Sequence, residues 1–203
     1  MLIEEEKITF RSVTIGDSSV GKTCIVNRFL QDKFDPAEPN TIGTLYESFT
    51  DHRDGHDLEI QIWDTAGQEQ YRSLGPIYYR SSLAAIVVFD ITNRKSFEDV
   101  NEWVSEFRNV AGENTIVVLV GNKIDLPERA VEKDEAEEWA HKNNCIYAET
   151  SARSGAGIKQ LFTTLVDELM KMYNGDDGMK VVSRSKVNTP DKVDTNEKKT
   201  GCC

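Results

Sequence analysis

Three short stretches carry residue types and spacings suited to one chemistry, the handling of a nucleoside triphosphate. Gly16-Asp17-Ser18-Ser19-Val20-Gly21-Lys22-Thr23 fits the pattern G-x-x-x-x-G-K-[ST], a loop whose backbone N–H groups can cradle phosphates. Glycines at 16 and 21 permit the turn that aims successive amides inward, and a following helix adds the positive end of its dipole. Lys22 offers a cation to the β and γ phosphates, and the Thr23 hydroxyl is placed to ligate Mg2+. Asn122-Lys123-Ile124-Asp125 suits a base. Guanine presents N1–H and a 2-amino group side by side, and the two oxygens of Asp125 can accept both. Adenine has an acceptor at N1 and would leave that carboxylate unpaired. The stem of Lys123 can lie along the base.

The third stretch, Trp63-Asp64-Thr65-Ala66-Gly67-Gln68-Glu69, supplies hydrolytic parts. Asp64 can face the magnesium through water, and Gly67 can bring a backbone N–H to the γ-phosphate. Gln68 can orient an attacking water. Upstream, Thr41 of Asn40-Thr41-Ile42-Gly43 lies 18 residues beyond Thr23 and offers a second hydroxyl to the metal and the γ-phosphate.

These residues need a scaffold, and the hydrophobic pattern describes one. Leu83–Phe89 and Thr115–Val120 are short continuous apolar runs, as parallel strands covered on both faces require, and Ile8–Ile15 is a third candidate. Thr44–Thr50 and Leu58–Trp63 alternate around Asp54-Gly55, which predicts an antiparallel hairpin. His52 and His56 flank that dipeptide and read as turn residues, not a metal pair. Helical spacing appears in Cys24–Gln31, in Phe97, Val100, Trp103, Val104, Phe107 and Val110, and in the stripe from Ile158 through Leu161, Phe162, Leu165, Val166 and Leu169 to Met170. Strands alternating with helices predict a doubly wound α/β sheet with its ligand site at the carboxyl ends of the strands. Cys24 and Cys145 read as core thiols, with neither disulfide nor zinc spacing among the four cysteines.

Charge and length bound the function. The chain has 203 residues and a formal net charge of -11, so it is a poor partner for nucleic acid, whose affinity comes from Lys and Arg at phosphates. The charge is uneven: residues 175–203 carry six basic and five acidic residues, leaving the preceding 174 at -12. Beyond Gly175-Asp176-Asp177-Gly178 there is no aromatic residue, which predicts a flexible tail after a 1–174 domain. No apolar run reaches the roughly 18 to 20 residues of a membrane span, and Met1–Lys7 is acidic where a signal peptide would be basic. The expected location is the cytosol.

The set GDSSVGKT, TIG, WDTAGQE, GNKID and ETSA, in this order, resembles the Ras superfamily of small GTPases over residues 8–173. Within it the chain most resembles the Rab family, through Trp63, Tyr78-Tyr79-Arg80, Phe89-Asp90-Ile91-Thr92 and the terminal Cys202-Cys203. Ser73–Ser82 further resembles the endosomal branch. The resemblance implies a mostly parallel six-stranded sheet with one antiparallel edge hairpin and about five helices, the phosphate-loop GTPase domain. It implies GTP contacts from Ser18, Ser19, Val20, Gly21, Lys22, Thr23, Cys24, Phe34, Thr41, Gly67, Asn122, Lys123, Asp125, Ser151, Ala152 and Arg153. The Ala152 N–H would address the guanine carbonyl oxygen, and Phe34 would pack on the nucleoside. Catalysis falls to Gln68, Lys22 and Thr41, and Mg2+ to Thr23, Thr41 and Asp64. Tyr46, Trp63 and Tyr78, with Ile42, would form the effector surface, and geranylgeranyl groups on Cys202 and Cys203 would anchor the chain to the cytoplasmic face of intracellular membranes. Implied partners are an exchange factor, a GTPase-activating protein, a GDP-dissociation inhibitor, an escort protein and state-specific effectors, around a monomer that regulates vesicle traffic. A switch of another Ras branch, a non-hydrolysing GTP-bound scaffold and a phosphate-loop metabolic kinase are the competing readings; the last lacks an insertion long enough for an acceptor lid. Ser18 and Ser19, at positions often glycine, are expected to crowd the γ-phosphate and slow intrinsic hydrolysis. The segment Ile42–Tyr46 departs from most Rabs, and Arg153 stands where Lys is usual. No arginine lies between Lys33 and Thr41, so none is expected to act as a finger in cis.

Overall fold

The computed structural model describes residues 7–67 and 74–174. Its chain order is β1 (Ile8–Ile15), α1 (Lys22–Gln31), β2 (Thr44–Arg53), β3 (His56–Thr65), α2 (Gly75–Tyr79), β4 (Ala84–Asp90), α3 (Arg94–Glu98), α4 (Val100–Ala111), β5 (Ile116–Asn122), α5 (Lys133–Lys142), β6 (Ile146–Glu149) and α6 (Ile158–Asn174). The six strands form one sheet in the order β2-β3-β1-β4-β5-β6. Only β2 and β3 run antiparallel.

Burial explains the strand patterns. Every residue of β4 is buried, as a central strand covered on both faces must be. One side of the sheet meets α1 and α6 through Ile25, Val26, Leu161, Phe162 and Leu165; the other meets α4 and α5 through Val104, Phe107, Ala136 and Ala140. The edge hairpin turns at Asp54 and Gly55, both at positive φ (51° and 78°), as a two-residue primed turn demands. His52 and His56 are exposed there. Nδ1 of His52 lies 2.8 Å from Asp57 Oδ1, and His56 packs on Tyr173, so the histidines serve the hairpin.

Three expectations change. The predicted helix through Phe97 and Val110 is two helices meeting at Asp99, because Asn93 caps a separate single turn by accepting from the Ser96 N–H. Five of its six apolar positions are buried, and Val110, in the last turn of α4, is 36% exposed. Cys24 and Cys145 are half-buried at the edges of the two cores instead of within them. The strand β6 and the helix α5 are implied only by the counts that the resemblance gives and have no counterpart in the hydrophobic pattern. The four residues of β6 are all half-buried, and α5 is mostly charged with only Ala136 and Ala140 buried, so neither has a strong periodic signal.

The sheet order reverses direction between β1 and β4. Ligands of doubly wound sheets sit at such a point, beyond the carboxyl ends of the strands, and the loops after β1, β4 and β5 all open there.

Candidate functional site

The loop from Gly16 to Gly21 leaves the end of β1 and feeds straight into α1. Gly16 (φ 134°) faces the carbonyl of Val88, which a Cβ would meet at 2.2 Å, and a Cβ on Gly21 (φ 97°) would lie 2.4 Å from the Asn122 amide nitrogen. These two glycines let the loop lie against β4 and β5. Lys22 is buried; its Nζ donates to the carbonyls of Gly16 (2.9 Å) and Asp17 (2.7 Å). Burial pushes its pKa down to about 8, against the opposing pull of Asp64 and Asp17. Gly67 is pinned above it: a Cβ there would lie 2.4 Å from both Lys22 Nζ and the Asp17 carbonyl oxygen.

Three oxygen-bearing side chains converge beside Lys22. Thr23 Oγ1 lies 2.7 Å from Thr41 Oγ1 and donates to Asp64 Oδ2 at 2.5 Å. Asp64 is 1% exposed, and its Oδ1 has no hydrogen-bond partner among the described residues. Desolvation raises its carboxyl to about 6, with the Thr23 hydrogen bond and Lys22 opposing. An orphaned, buried carboxylate oxygen with two hydroxyls is an all-oxygen donor set, which fits Mg2+.

The opposite end of the pocket is built from β5 and the loop after β6. The Asn122 amide donates to the Val20 carbonyl (2.9 Å), while its Oδ1 accepts from Thr150 Oγ1 (3.1 Å) and the Ala152 N–H (3.3 Å). It thereby ties the loop after β1 to the loop after β6. Lys123, at φ 70°, sends its ammonium to the Ser19 carbonyl (2.8 Å) and to Asp90 (2.6 Å), stretching its stem across the pocket floor. Ser151 Oγ donates to Asp125 Oδ1 at 2.6 Å and orients that carboxylate. Arg153 is mostly exposed and reaches within 3.9 Å of Asp125.

One cavity of about 720 Å³, within the usual range for small-ligand sites, is lined by Ser18, Ser19, Gly21, Lys22, Thr23, Cys24, Phe34, Thr41, Gly67, Asn122, Lys123, Asp125, Ala152 and Arg153. Two expected contact residues lie elsewhere. Val20 is core, contributing only its carbonyl, and the buried Ser151 works through Asp125. Sequence reasoning missed Asp35, Pro36, Glu38, Pro39, Asn40 and Leu126 on the same wall. It also missed Arg28, whose guanidinium holds the Ala152 and Arg153 carbonyls, and Trp103, whose Nε1 donates to Asp17 Oδ1 at 2.7 Å. Gln68, Cys202 and Cys203 lie outside the described residues, as does Ser73 of the endosomal-type stretch.

Beside the pocket, Trp63 packs edge-on against Tyr46 (ring centroids 5.2 Å apart) and beside Tyr78 (5.6 Å). The guanidinium of Arg11 lies 4.2 Å over the Trp63 ring. Ile42 (78% exposed), Leu45, Tyr46 and Ile77 stand out around it, so the expected aromatic triad exists with an apolar rim.

A phosphate loop at the switch point of a doubly wound sheet, with a carboxylate poised at the base end, defines a guanine-nucleotide-binding protein. Comparison with known proteins agrees. The Ras family model matches residues 11–171. The chain is 44% identical over 165 residues to the putative ras-related protein Rab-5B of Dictyostelium discoideum, spanning 81% of this chain and 77% of that one. It is 37% identical over 210 residues to the GTP-binding protein ypt3 of Schizosaccharomyces pombe, spanning 98% of each, and 42% identical over 165 residues to ypt5 of the same yeast, spanning 80% and 78%. The chain belongs to the Ras family and, within it, to the Rab type of small GTPase, which binds and hydrolyses GTP and regulates vesicle traffic.

Proposed function

We propose that this pocket is a timed switch of endocytic traffic in which GTP orders the two loops bearing Thr41 and Gly67 and hydrolysis releases them. The observation that carries the reading is the convergence of Thr23, Thr41 and Asp64 at one end of a cavity whose other end holds Asp125 and Ala152. Thr23, Thr41 and Asp64 would hold Mg2+, Asp64 through water. When bound, the ion supplies charge neutralisation between the β and γ phosphates.

The chain's own residues do the rest. Lys22 lies with its charge desolvated, so its pull on a phosphate is strong. Gln68 orients the attacking water. The Ser18 and Ser19 hydroxyls both donate to Asn40 Oδ1 (3.4 Å each), which supports the reading that they would crowd the γ-phosphate and that water. Slow intrinsic hydrolysis follows, with a GTPase-activating protein supplying the missing cation. In the GTP state Thr41 and Gly67 each gain the γ-phosphate as a partner, and loss of that partner relaxes both loops. Effectors read the change at Ile42, Tyr46, Trp63 and Tyr78. The relative named Rab-5B and the stretch Ser73–Ser82 support the endocytic assignment. An exchange factor, a dissociation inhibitor and an escort protein complete the cycle, the last two handling geranylgeranyl groups on Cys202 and Cys203.

Denaturing the purified protein should release GDP or GTP. Gln68→Leu should slow single-turnover hydrolysis at least about tenfold while leaving nucleotide retention intact. Wild-type hydrolysis without any activator, as fast as an activated complex, would refute the scheme. Tagged protein absent from endocytic membranes would remove the endocytic part alone.

A further inference from the structure

We propose that Arg28 is a positioning residue for guanine recognition, acting through the loop that carries Ala152 and Arg153. Arg28 projects from the last turn of α1 and spends its donors on two partners far apart in sequence. Nε–H donates to the Ala152 carbonyl at 2.8 Å and Nη2 to the Arg153 carbonyl at 2.5 Å. Nη1 donates to the carbonyl of Asp32 (3.1 Å) and to its carboxylate (2.9 Å). Asp32 is the left-handed cap of α1, and its own N–H donates back to the Arg28 carbonyl. The guanidinium is therefore fixed on its helix side before it grips the loop, and its side chain is only 18% exposed.

The rest of the loop closes on itself. Ser154 N–H donates to Ser151 Oγ and Gly155 N–H to the Ser151 carbonyl, while Ser151 N–H donates to Ala156. Among the described residues Arg28 is what holds the Ala152 and Arg153 carbonyls. All peptide bonds described are trans, so each N–H points opposite to the carbonyl of its own plane. Drawing the Ala152 carbonyl toward α1 turns the Arg153 N–H away from Arg28 and fixes the peptide plane joined, at the Ala152 Cα, to the one that carries the Ala152 N–H. Ala152's own N–H has only a long contact to Asn122 Oδ1, at 3.3 Å, and so keeps capacity for a ligand acceptor. Both residues line the cavity and Arg28 does not, which places the clamp behind the recognition loop. A planar fork with two parallel donors suits this task better than an ammonium would.

The proposal rests on the reading of Ala152 as the donor to the 6-oxo group of guanine, and the test separates the two. Competition against a fluorescent GDP on the full chain gives affinities for GDP, for 6-thioguanosine diphosphate, whose sulfur accepts weakly, and for inosine diphosphate, which lacks only the 2-amino group read by Asp125. Arg28→Ala should shrink the preference for GDP over the thio analogue about tenfold, the worth of one hydrogen bond, and leave the preference over inosine diphosphate within about twofold. Arg28→Lys, with one donor in place of a fork, should fall between. Both preferences shrinking by the same factor would mean a merely structural tie and overturn the proposal, as would no change in either. Should Arg28→Ala fail to fold, Arg28→Lys decides: a narrowed thio preference alone supports the proposal, and an unchanged one overturns it. A wild-type protein that binds GDP and the thio analogue equally would instead refute Ala152 as the donor, and the role of Arg28 with it.

Discussion

Burial of the Asp64 carboxylate carries a cost that the Thr23 hydrogen bond and Lys22 offset only in part. Burial raises its carboxyl from 3.8 to about 6. The folded protein therefore keeps the proton over a range where the unfolded chain has lost it, and stability falls as pH rises from about 4 to about 6. A shift of this size corresponds to roughly 3 kcal/mol. Asp64→Asn keeps an acceptor for Thr23 and removes the charge, so the nucleotide-free variant should melt several degrees higher at pH 7.5 and lose its slope between pH 4 and 6. The same change should weaken Mg2+-dependent nucleotide retention at least about tenfold, because a carboxylate gives way to a neutral oxygen. Calorimetry across pH, with dissociation of a fluorescent GDP, measures both; a variant with the wild-type slope contradicts the assignment. Asp64 was legible in the sequence, as were Lys22, Thr23 and Asp125, because each sits inside a short pattern whose chemistry is local. Arg28 was not. Its partners lie 124 and 125 residues away, and an arginine in the last turn of a helix has an ordinary surface role to suggest for it.

Among the elements, the strands were read best where most positions are buried: β1 keeps its expected bounds, and β4 and β5 shift by only one or two residues. Segments with mixed exposure, β6 and α5, escaped because half-buried positions blur any period. The broken helix at Asp99 has a consequence for the site. It starts α4 afresh at Val100 and lets Trp103 reach back to Asp17 in the phosphate loop. Asp17 is partly buried and its carboxyl is raised by desolvation, an effect the Trp103 hydrogen bond opposes. Trp103→Phe preserves most of the packing and removes that donor, leaving the Asp17 carboxylate short of a partner it has in the wild type. A loss of roughly 1.5 to 3 kcal/mol in denaturant unfolding is expected, since hydrogen bonds to charged groups carry about that much. Faster GDP release should accompany it, because the Asp17 carbonyl also holds Lys22. Unchanged unfolding and release would mean that α4 does not brace the loop.

At the scale of the whole molecule, the charge decides what kind of membrane contact is possible. Residues 1–174 carry -12 and the remainder +1, so neither part is drawn to an anionic surface, and the like-charged body is repelled by one. Nor is any helix among the described residues long and apolar enough to cross a bilayer. Nucleotide binding escapes this repulsion because its field is made within a few ångströms by Lys22, oriented backbone amides and a cation; a membrane is too broad a target for that device. Attachment through the proposed geranylgeranyl groups would draw on buried hydrocarbon, at about 0.8 kcal/mol per CH2, and two chains suffice for stable anchoring without basic residues. Bacterially produced, unmodified protein should therefore fail to sediment with phosphatidylserine vesicles even at low salt. Enzymatically geranylgeranylated protein should sediment, with little dependence on ionic strength. Replacing Cys202 and Cys203 by Ser should abolish the second result and leave GDP affinity unchanged, since the pocket's lining among the described residues runs from Ser18 to Arg153. Salt-sensitive sedimentation of the unmodified chain would show instead that the basic residues of 175–203 act as a local patch despite their acidic neighbours.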